Sequence, residues 1–229
     1  MSTATSHYRP VAQQRGEETR ARILEAALEL FAANGFDGAS TRTIAERAGV
    51  NLPAIQYYFG SKEGLYRAVV EQFSQNLHAG VAPIAEYIRR ELDVGQPSRR
   101  KLIDLLCDML DVIIALILDD SVPNRECRQK FFARMEVEPN PAFDALQDDM
   151  VRHVCQPCCD IIGRLIDRPP DDEKVLLHAM TLIGQAKIFC GWGTNRVLRW
   201  ETIGEARIRA AQLVIREHVQ AIFRSTRGR

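Results

Sequence analysis

Residues 41–65 read Thr-Arg-Thr-Ile-Ala-Glu-Arg-Ala-Gly-Val-Asn-Leu-Pro-Ala-Ile-Gln-Tyr-Tyr-Phe-Gly-Ser-Lys-Glu-Gly-Leu, and this stretch decides the fold. The pattern predicts two short helices, over 41–48 and 52–58, joined by a turn at Gly49 and followed by a third helix after Ser61. Helices this short cannot build a core by themselves. The arrangement is that of a helix-turn-helix, in which the first helix supports the second so that its outer face projects from the protein.

The residues at the helix ends and on one helix face support this prediction. We expect Thr41 to cap the first helix with its hydroxyl, and Asn51 and Ser61 to cap the next two. Pro53 falls in the first turn of the second helix, where a missing N–H does no harm. The apolar residues at helical spacing, which we expect to face inward, are Ile44, Ala45, Ala48, Ile55, Tyr58 and Phe59.

The other residues of the segment are candidates for contact with DNA. The amide of Gln56 can pair bidentately with adenine. The hydroxyl of Tyr57 suits a phosphate, as does Lys62 at a helix N-terminus. The complete set of candidate DNA-binding residues is Thr41, Arg42, Thr43, Asn51, Leu52, Pro53, Gln56, Tyr57 and Lys62.

These motifs resemble the signature of the TetR/AcrR family of transcriptional regulators. The resemblance rests on Gly49-Val50, Ile55, Tyr57-Tyr58-Phe59 and Ser61-Lys62-Glu63-Gly64-Leu65, and on residues 19–36, which are similar to the first helix of the family and its Asn-Gly stop. It covers residues 17–77. The sequence departs from the family at Gln56, where many members carry Tyr, and at Leu52-Pro53, which is more apolar than usual.

The resemblance implies an all-α fold with an N-terminal three-helix head, joined to a C-terminal helical body for ligand binding and dimerisation. On this division residues 1–16 are a mobile arm, 17–77 the DNA-binding head and 78–229 the body. Apolar residues recur at three and four throughout, which also predicts helices and no strands. The predicted helices span 17–34, 41–48, 52–58, 62–79, 82–94, 98–118, 125–136, 142–167, 172–191 and 201–224.

Two long helices near the end of the chain are candidates for a homodimer surface. The helices predicted over 172–191 and 201–224 each carry an apolar stripe, and Gly184, Ala206 and Ala210 permit close helix approach. The pattern alone also fits packing within one subunit. The resemblance to the family favours a four-helix interface between two copies.

Apolar and polarisable side chains in the body form a candidate effector pocket. They are Met109, Phe131, Phe132, Met135 and Phe189, and each also fits an ordinary core position. Residues 134–143 are similar to the C-terminal domain of CerR-type regulators within the family. The predicted effector is a small apolar molecule.

Charge and patterning restrict the class of protein. The chain has 30 basic and 30 acidic residues, and residues 1–78 contain eight of each. This balance disfavours a protein that binds nucleic acid non-specifically through charge alone, but it allows a protein that recognises a specific DNA sequence. The N-terminus lacks the apolar core of a secretory signal, and three carboxylates interrupt the apolar run 102–118. We therefore expect a cytoplasmic protein with no membrane span and with reduced thiols.

The sequence contains no Gly-rich phosphate loop, no His-Glu-x-x-His and no Gly-x-Ser-x-Gly motif, so we predict neither an enzyme nor a cofactor. The predicted function is a repressor released from a palindromic double-stranded DNA operator by the effector. One alternative is a regulator of the same fold without a small ligand, switched by a protein partner or acting as an activator. Another is a thiol redox or metal sensor that uses Cys155, Cys158 and Cys159.

Overall fold

The computed structural model describes residues 11–119, 124–138, 141–190 and 197–224, and the regular structure in these ranges is helical, which confirms the predicted fold class. The head and linker helices are α1 (Val11–Gly38), α2 (Thr41–Ala48), α3 (Leu52–Phe59) and α4 (Lys62–Asp93). The others are α5 (Arg99–Leu118), α6 (Arg125–Met135), α7 (Pro141–Met150), α8 (Gln156–Ile166), α9 (Glu173–Lys187) and α10 (Glu205–Arg224). A π-helical turn, Val151–Cys155, joins α7 to α8, and a 3₁₀ turn, Ile188–Cys190, follows α9.

Helix α1 begins earlier than the sequence pattern predicts. Residues 11–16 of the expected arm are already helical, and residues 1–10 lie outside the described part of the chain. Within α1, Gly35 has φ 72° and ψ 179°, so the helical path breaks at the predicted Asn-Gly stop. The positive φ favours glycine here, since L side chains rarely adopt this backbone conformation.

The separate helices predicted over 62–79 and 82–94 are one helix, so that division is wrong. Gly80 and Pro83 suggest a break in the sequence, yet α4 continues through both. A Cβ at Gly80 would lie 2.5 Å from Leu116 Cδ2, so this glycine lets α4 approach α5 closely. Burial of Val81, Ala85 and Ile88 on one side of the helix offsets the hydrogen bond that Pro83 removes.

The chain divides into two compact units. The first comprises the residues up to Glu71 together with Glu126–Ala142, and the second comprises Gln72–Arg125 and the residues from Phe143 onward. The head therefore includes α6, which the sequence-based division at residue 77 assigns to the body. Both α4 and the segment around α6 cross along the chain from one unit to the other.

Aromatic packing and one arginine join α6 to the head. Tyr66 contacts Phe31, with ring centroids 5.0 Å apart, and Phe131 of α6, at 5.4 Å. Arg134 donates hydrogen bonds to the carbonyl oxygens of Ala32 and Ala33, each 2.8 Å long. These carbonyls lie just before Gly35, the residue of α1 whose backbone is not helical. A segment distant in sequence thus completes the head.

Helix α5 is central to the second unit and packs against α8, α9 and α10. Leu106, Leu110 and Ile114 on α5 are fully buried. Arg99 donates to the carbonyl oxygens of Leu165, at 2.7 Å, and Phe223, at 2.6 Å, so it fixes the ends of α8 and α10. Burial of the apolar face of α5 is the main source of stability for the second unit.

The junction of α3 and α4 depends on a glycine. Ser61 Oγ accepts a 3.1 Å hydrogen bond from the backbone N–H of Gly64, as expected for a cap. A Cβ at Gly64 would lie only 2.0 Å from the carbonyl oxygen of Phe59. The first turn of α4 can therefore follow α3 this closely only without a side chain at this position.

We predict that Gly64→Ala destabilises the protein by about 1–3 kcal/mol, because the backbone of α3 must move away from the added methyl group. Gly95→Ala is the matched control, since a Cβ there would meet nothing within 4 Å. Thermal unfolding followed by circular dichroism measures both. Equal melting temperatures for the two variants would contradict this account of the junction.

Candidate nucleic-acid interface

Helix α2 begins with a cap from Ser40 rather than from Thr41. The backbone N–H of Thr43 donates a 3.0 Å hydrogen bond to Ser40 Oγ, and the hydroxyls of Ser40 and Thr43 share a 2.7 Å hydrogen bond. The prediction that Thr41 caps this helix is wrong because Thr41 is already its first helical residue, and it is half-buried. A cap residue needs the extended backbone that Ser40 has.

The turn and the start of α3 confirm the local predictions. Gly49 is left-handed, with φ 64° and ψ 39°, and its N–H reaches the carbonyl of Ala45. Asn51 Oδ1 accepts a 3.1 Å hydrogen bond from the backbone N–H of Ala54, and Pro53 lies in the first turn. These contacts fix both the start of α3 and its angle to α2.

The inward face of the two helices is largely as predicted. Ile44, Ala45, Ala48 and Ile55 are buried, while Tyr58 and Phe59 are half-buried. The guanidinium of Arg20 lies 5.4 Å from the centroid of the Phe59 ring. An eight-residue helix is not stable alone, so α3 depends on this packing.

The outward face contains seven of the nine candidate DNA-binding residues. Arg42, Thr43, Asn51, Leu52, Pro53, Gln56 and Tyr57 are exposed, whereas Thr41 and Lys62 are half-buried. Tyr57 is 83% exposed, which is unusual for a large aromatic side chain, and its ring stands edge-on to Tyr58. The structure therefore brings a Gln amide and a Tyr hydroxyl together on one solvent-facing surface of α3.

The cations of this region have different roles. Arg47 pairs with Glu29 at 2.7 Å, and Lys62 Nζ lies 3.4 Å from the carbonyl oxygen of Asp37 and 4.6 Å from the Phe36 ring centroid. Within the described ranges, Arg42 has neither an ion pair nor a hydrogen bond from its exposed side chain. Of Arg42, Arg47 and Lys62, Arg42 is therefore the one whose charged group contacts only solvent within the described ranges.

The start of α4 favours negative charge. The backbone N–H at Glu63, with the Ser61 hydroxyl, lowers the pKa of the Glu63 carboxyl below its ordinary value. The positive end of the helix dipole at this terminus also attracts a phosphate, in the way that helix N-termini bind anions. Lys62 is the first residue of this helix, which places its positive charge at the same end.

The five candidate pocket residues belong to two different units. Phe131, Phe132 and Met135 are buried on α6 in the head unit. Met109 is fully buried on α5 in the second unit, and the partly buried Phe189 packs against that unit's core. The five candidates are therefore divided between the two units.

The cysteines near residue 155 have little thiolate character. Burial raises the pKa of Cys159 to about 11 and raises those of Cys155 and Cys158 as well. A thiol with a raised pKa remains protonated at neutral pH, whereas metal binding and redox reactions need the thiolate. Their burial in the second unit's core, or at its edge, accounts for their presence.

Three residues that position the helices of the head were not identified from the sequence. Ser40 lies three residues before Thr43, a spacing that identifies a cap. Gly64 is a poor helix former inside the first turn of a helix, which in itself indicates a close contact. No local pattern indicates that Arg134 binds α1, since about 100 residues separate the partners.

Two family models together cover most of the chain. A model described as "Bacterial regulatory proteins, tetR family" matches residues 23–69. A model for the C-terminal domain of the HTH-type transcriptional dual regulator CecR matches residues 102–225. Across the described residues, we find no helix that is both long and apolar enough to cross a membrane.

Individual proteins show the same relationship. The HTH-type transcriptional dual regulator CecR of Shigella flexneri is 27% identical over 216 residues, covering 93% of this chain and 95% of CecR. The HTH-type transcriptional regulator RutR of Escherichia coli K12 is 42% identical over 85 residues, which are 32% of this chain and 40% of RutR. A TetR-like transcriptional regulator from Rhodococcus sp. RHA1 has the same fold, with TM-score 0.63 at 16% identity, and the match covers 91% of this chain and 97% of that one.

We predict that Gln56→Ala weakens binding to the preferred DNA site by about 1–3 kcal/mol and relaxes the choice of base at one position, because the amide contacts a base edge. Tyr57→Phe should weaken binding to all sequences alike, as expected for a phosphate contact. Fluorescence anisotropy with the preferred site and single-base variants of it measures both effects.

Gln72→Ala is the matched control for Gln56, since Gln72 is an exposed glutamine on α4 outside the candidate surface. It should bind like the wild type. Equal loss on every DNA sequence for Gln56→Ala would assign Gln56 to the DNA backbone instead of a base.

Proposed function

Because the chain belongs to the tetR family of bacterial regulators, with a C-terminal domain of the CecR type, we propose that it is a homodimeric repressor that a small apolar effector releases from a palindromic operator. The DNA-binding part of this function rests on the family and on the exposed face of α3. The main observation in its favour is that Gln56 and Tyr57 are both exposed on α3, with Tyr57 83% exposed, and that this helix is capped at both ends.

The charge balance shapes how such a protein binds DNA. Residues 1–78 contain equal numbers of basic and acidic side chains, so the general attraction to phosphate is weak. Recognition then depends on base contacts by α3 and on a few phosphate contacts at helix N-termini and Arg42. Two heads must bind together to reach a useful affinity, with their α3 helices in successive major grooves roughly 34 Å apart.

Selection of bound fragments from a random DNA pool tests this proposal most broadly. The expected result is one enriched palindrome whose half-sites are about one helical turn, or a multiple of it, apart. Enrichment of no sequence would contradict the proposal of a specific reader. Enrichment of a single half-site would contradict the two-headed mechanism.

An apolar surface on α9 and α10 supports the homodimer. The inner face of each helix is buried, including Val175 and Leu182 on α9 and Ile215 and Val219 on α10. The outer faces are apolar as well, and their exposed members, each between 44% and 61% exposed, are Leu176, Leu177, Met180, Leu213 and Val214. A contiguous apolar patch that faces solvent is typical of an interface.

Small residues lie within the same surface. Gly184 is exposed, and a Cβ there would meet nothing within 4 Å, so no contact with the part of the chain that the structure describes explains the glycine. Ala206 and Ala210 are also exposed on α10. In a symmetric dimer the same patch occurs on both copies, and small residues let the paired helices approach closely.

We predict that Ala210→Arg produces monomers that lose affinity for the palindrome, because the dimer would bury an unpaired charge. Sedimentation velocity at micromolar concentration measures the association state, and anisotropy measures DNA binding. Ala79→Arg, at an exposed position on α4, is the matched control and should remain dimeric. A wild-type chain that sediments as a monomer under these conditions would contradict the proposal.

The position of α6 offers a route from the body to the head. Helix α6 follows α5 and precedes α7 in the chain, and most of both neighbours lies in the second unit. Its own side chains complete the head, through Phe131 on Tyr66 and Arg134 on the end of α1. An effector that favours one arrangement of the body can therefore shift the head through α6 and α4. The two binding events are then coupled reciprocally.

The five candidate pocket residues fall in two units, so we propose two different roles for them. We assign Met109 and Phe189 to the effector region of the body, and Phe131, Phe132 and Met135 to the transmission of its effect within the head. A groove of about 550 Å³ in the second unit is lined by Arg89, Asp93, Asp160, Arg164, Arg168 and neighbouring residues. This charged lining does not suit an apolar molecule, so the groove is not part of the proposal.

We predict that Arg134→Met lowers the free energy of unfolding by about 1–2 kcal/mol and weakens binding to the preferred DNA site, since the carbonyls of Ala32 and Ala33 lose their charged donors while the side-chain stem remains. The estimate is at the low end for charged hydrogen bonds because 38% of the side chain is exposed. Anisotropy with the preferred site and thermal unfolding measure the effect.

Lys130→Met is the matched control on the same helix, where Lys130 forms only an exposed ion pair with Glu126, at 2.7 Å. It should bind DNA like the wild type. Unchanged DNA affinity and melting temperature for Arg134→Met would remove α6 from the transmission route.

A further inference from the structure

Two histidines of the second unit lie against each other beside the π-helical turn. His78 is on α4 and His153 is on Val151–Cys155, and their ring centroids are 4.4 Å apart with an interplanar angle of 68°. One helical turn away on both elements, Ser74 Oγ donates a hydrogen bond to Asp149 Oδ2. This second contact fixes α4 and the end of α7 side by side, which keeps the two imidazoles adjacent.

The π-helical turn is itself unusual. The N–H of Gln156 bonds to the carbonyl of Val151, so one extra residue is accommodated within the helical run from α7 to α8. Such turns are rare, and they occur frequently at functional sites. Here the turn contains His153, and neither the DNA surface nor the dimer surface uses it.

We propose that His78 and His153 together bind one divalent transition-metal ion, with water molecules completing its coordination. Imidazole nitrogen suits Zn²⁺, Ni²⁺ and Cu²⁺. Two imidazoles that each bind one ion at about 2.0–2.1 Å have ring centres roughly 4.5–5 Å apart. The observed separation is within reach of this value by small rotations of the two rings.

The surroundings of the pair are compatible with this ion. A metal ion binds the neutral imidazole, so binding at His78 and His153 should weaken at acidic pH. The carboxylate of Asp149 favours a cation, whereas Arg152 and Arg89 oppose it. Over the described ranges, no three His, Cys, Asp or Glu side chains are arranged to hold a metal jointly. The proposed site therefore has two protein ligands, and we expect it to bind more weakly than a closed structural site with four.

A bridging ion would join α4 to the π-helical turn. Because the ion binds the folded arrangement of both elements, it raises the free energy of unfolding by RT ln(1 + c/Kd), where c is the ion concentration, and this increase grows with the logarithm of c above the dissociation constant. This inference does not depend on the proposed effector or on dimer formation. The body would then bind two kinds of ligand, a metal ion and an apolar effector.

Titration of the full-length, tag-free chain with Ni²⁺ by isothermal calorimetry tests the proposal. Ni²⁺ is the probe because thiolates select Zn²⁺ and Cu⁺, and the chain has six cysteines. The expected result is one ion per chain with micromolar affinity. His78→Gln and His153→Gln should each weaken binding at least tenfold. His218→Gln is the matched control, at an exposed histidine whose ring contacts Gln185, and it should bind Ni²⁺ like the wild type.

Wild-type affinity in both His78→Gln and His153→Gln would overturn the proposal. A measurement on the wild type alone protects the test against a variant that fails to fold. Substoichiometric Ni²⁺ should broaden the ring resonances of two of the five histidines by paramagnetic relaxation. Broadening of none of them, or of all five equally, would also overturn it.

Discussion

The position of α3 depends on how closely the chain turns at each of its ends. Helix α3 has eight residues, too few to be stable in isolation, so its direction is set by Asn51 at its start and by the tight junction at its end. At that junction the first turn of α4 approaches the carbonyl of Phe59 so closely that only glycine fits at position 64. Every contact proposed between the head and DNA requires α3 to project in this fixed direction, since a base-reading side chain must be placed to within a fraction of an ångström.

The same geometry explains how a chain without net charge can bind DNA. General attraction to phosphate is weak, so the proposed recognition depends on contacts by the exposed Gln56 and Tyr57 and by the ends of helices. Such a reader is sensitive to small changes in the orientation of α3. The head is completed by α6, whose Arg134 binds the last carbonyls of α1.

Local chemistry made much of the head predictable from sequence. Gly49, Asn51, Pro53 and Ser61 have the roles that their residue types indicate, because turns and caps depend on neighbours in the chain. The predicted and observed bounds of α2 are the same, residues 41–48, for the same reason. The assignment of the cap to Thr41 failed because two adjacent hydroxyl residues, Ser40 and Thr41, fit the pattern equally well.

Long-range packing accounts for what the sequence did not reveal. Continuation of α4 through Gly80 and Pro83 follows from its contact with Leu116 and the burial of Val81, neither of which is visible locally. Assignment of α6 to the head follows from contacts across about 100 residues. The candidate pocket residues were grouped by their apolar character alone. They belong to two units, because apolar side chains fill the core of each unit and composition does not tell one core from the other.

The central claim is that the exposed face of α3 reads the major groove in two successive turns of DNA. Methylation interference on the preferred DNA site tests it most directly, because dimethyl sulfate modifies guanine N7 in the major groove and adenine N3 in the minor groove. The account predicts that guanine methylation blocks binding in two clusters about 10 base pairs, or a multiple of this, apart, while adenine methylation between them has little effect. Interference by adenine N3 alone, or in a single cluster, would contradict it.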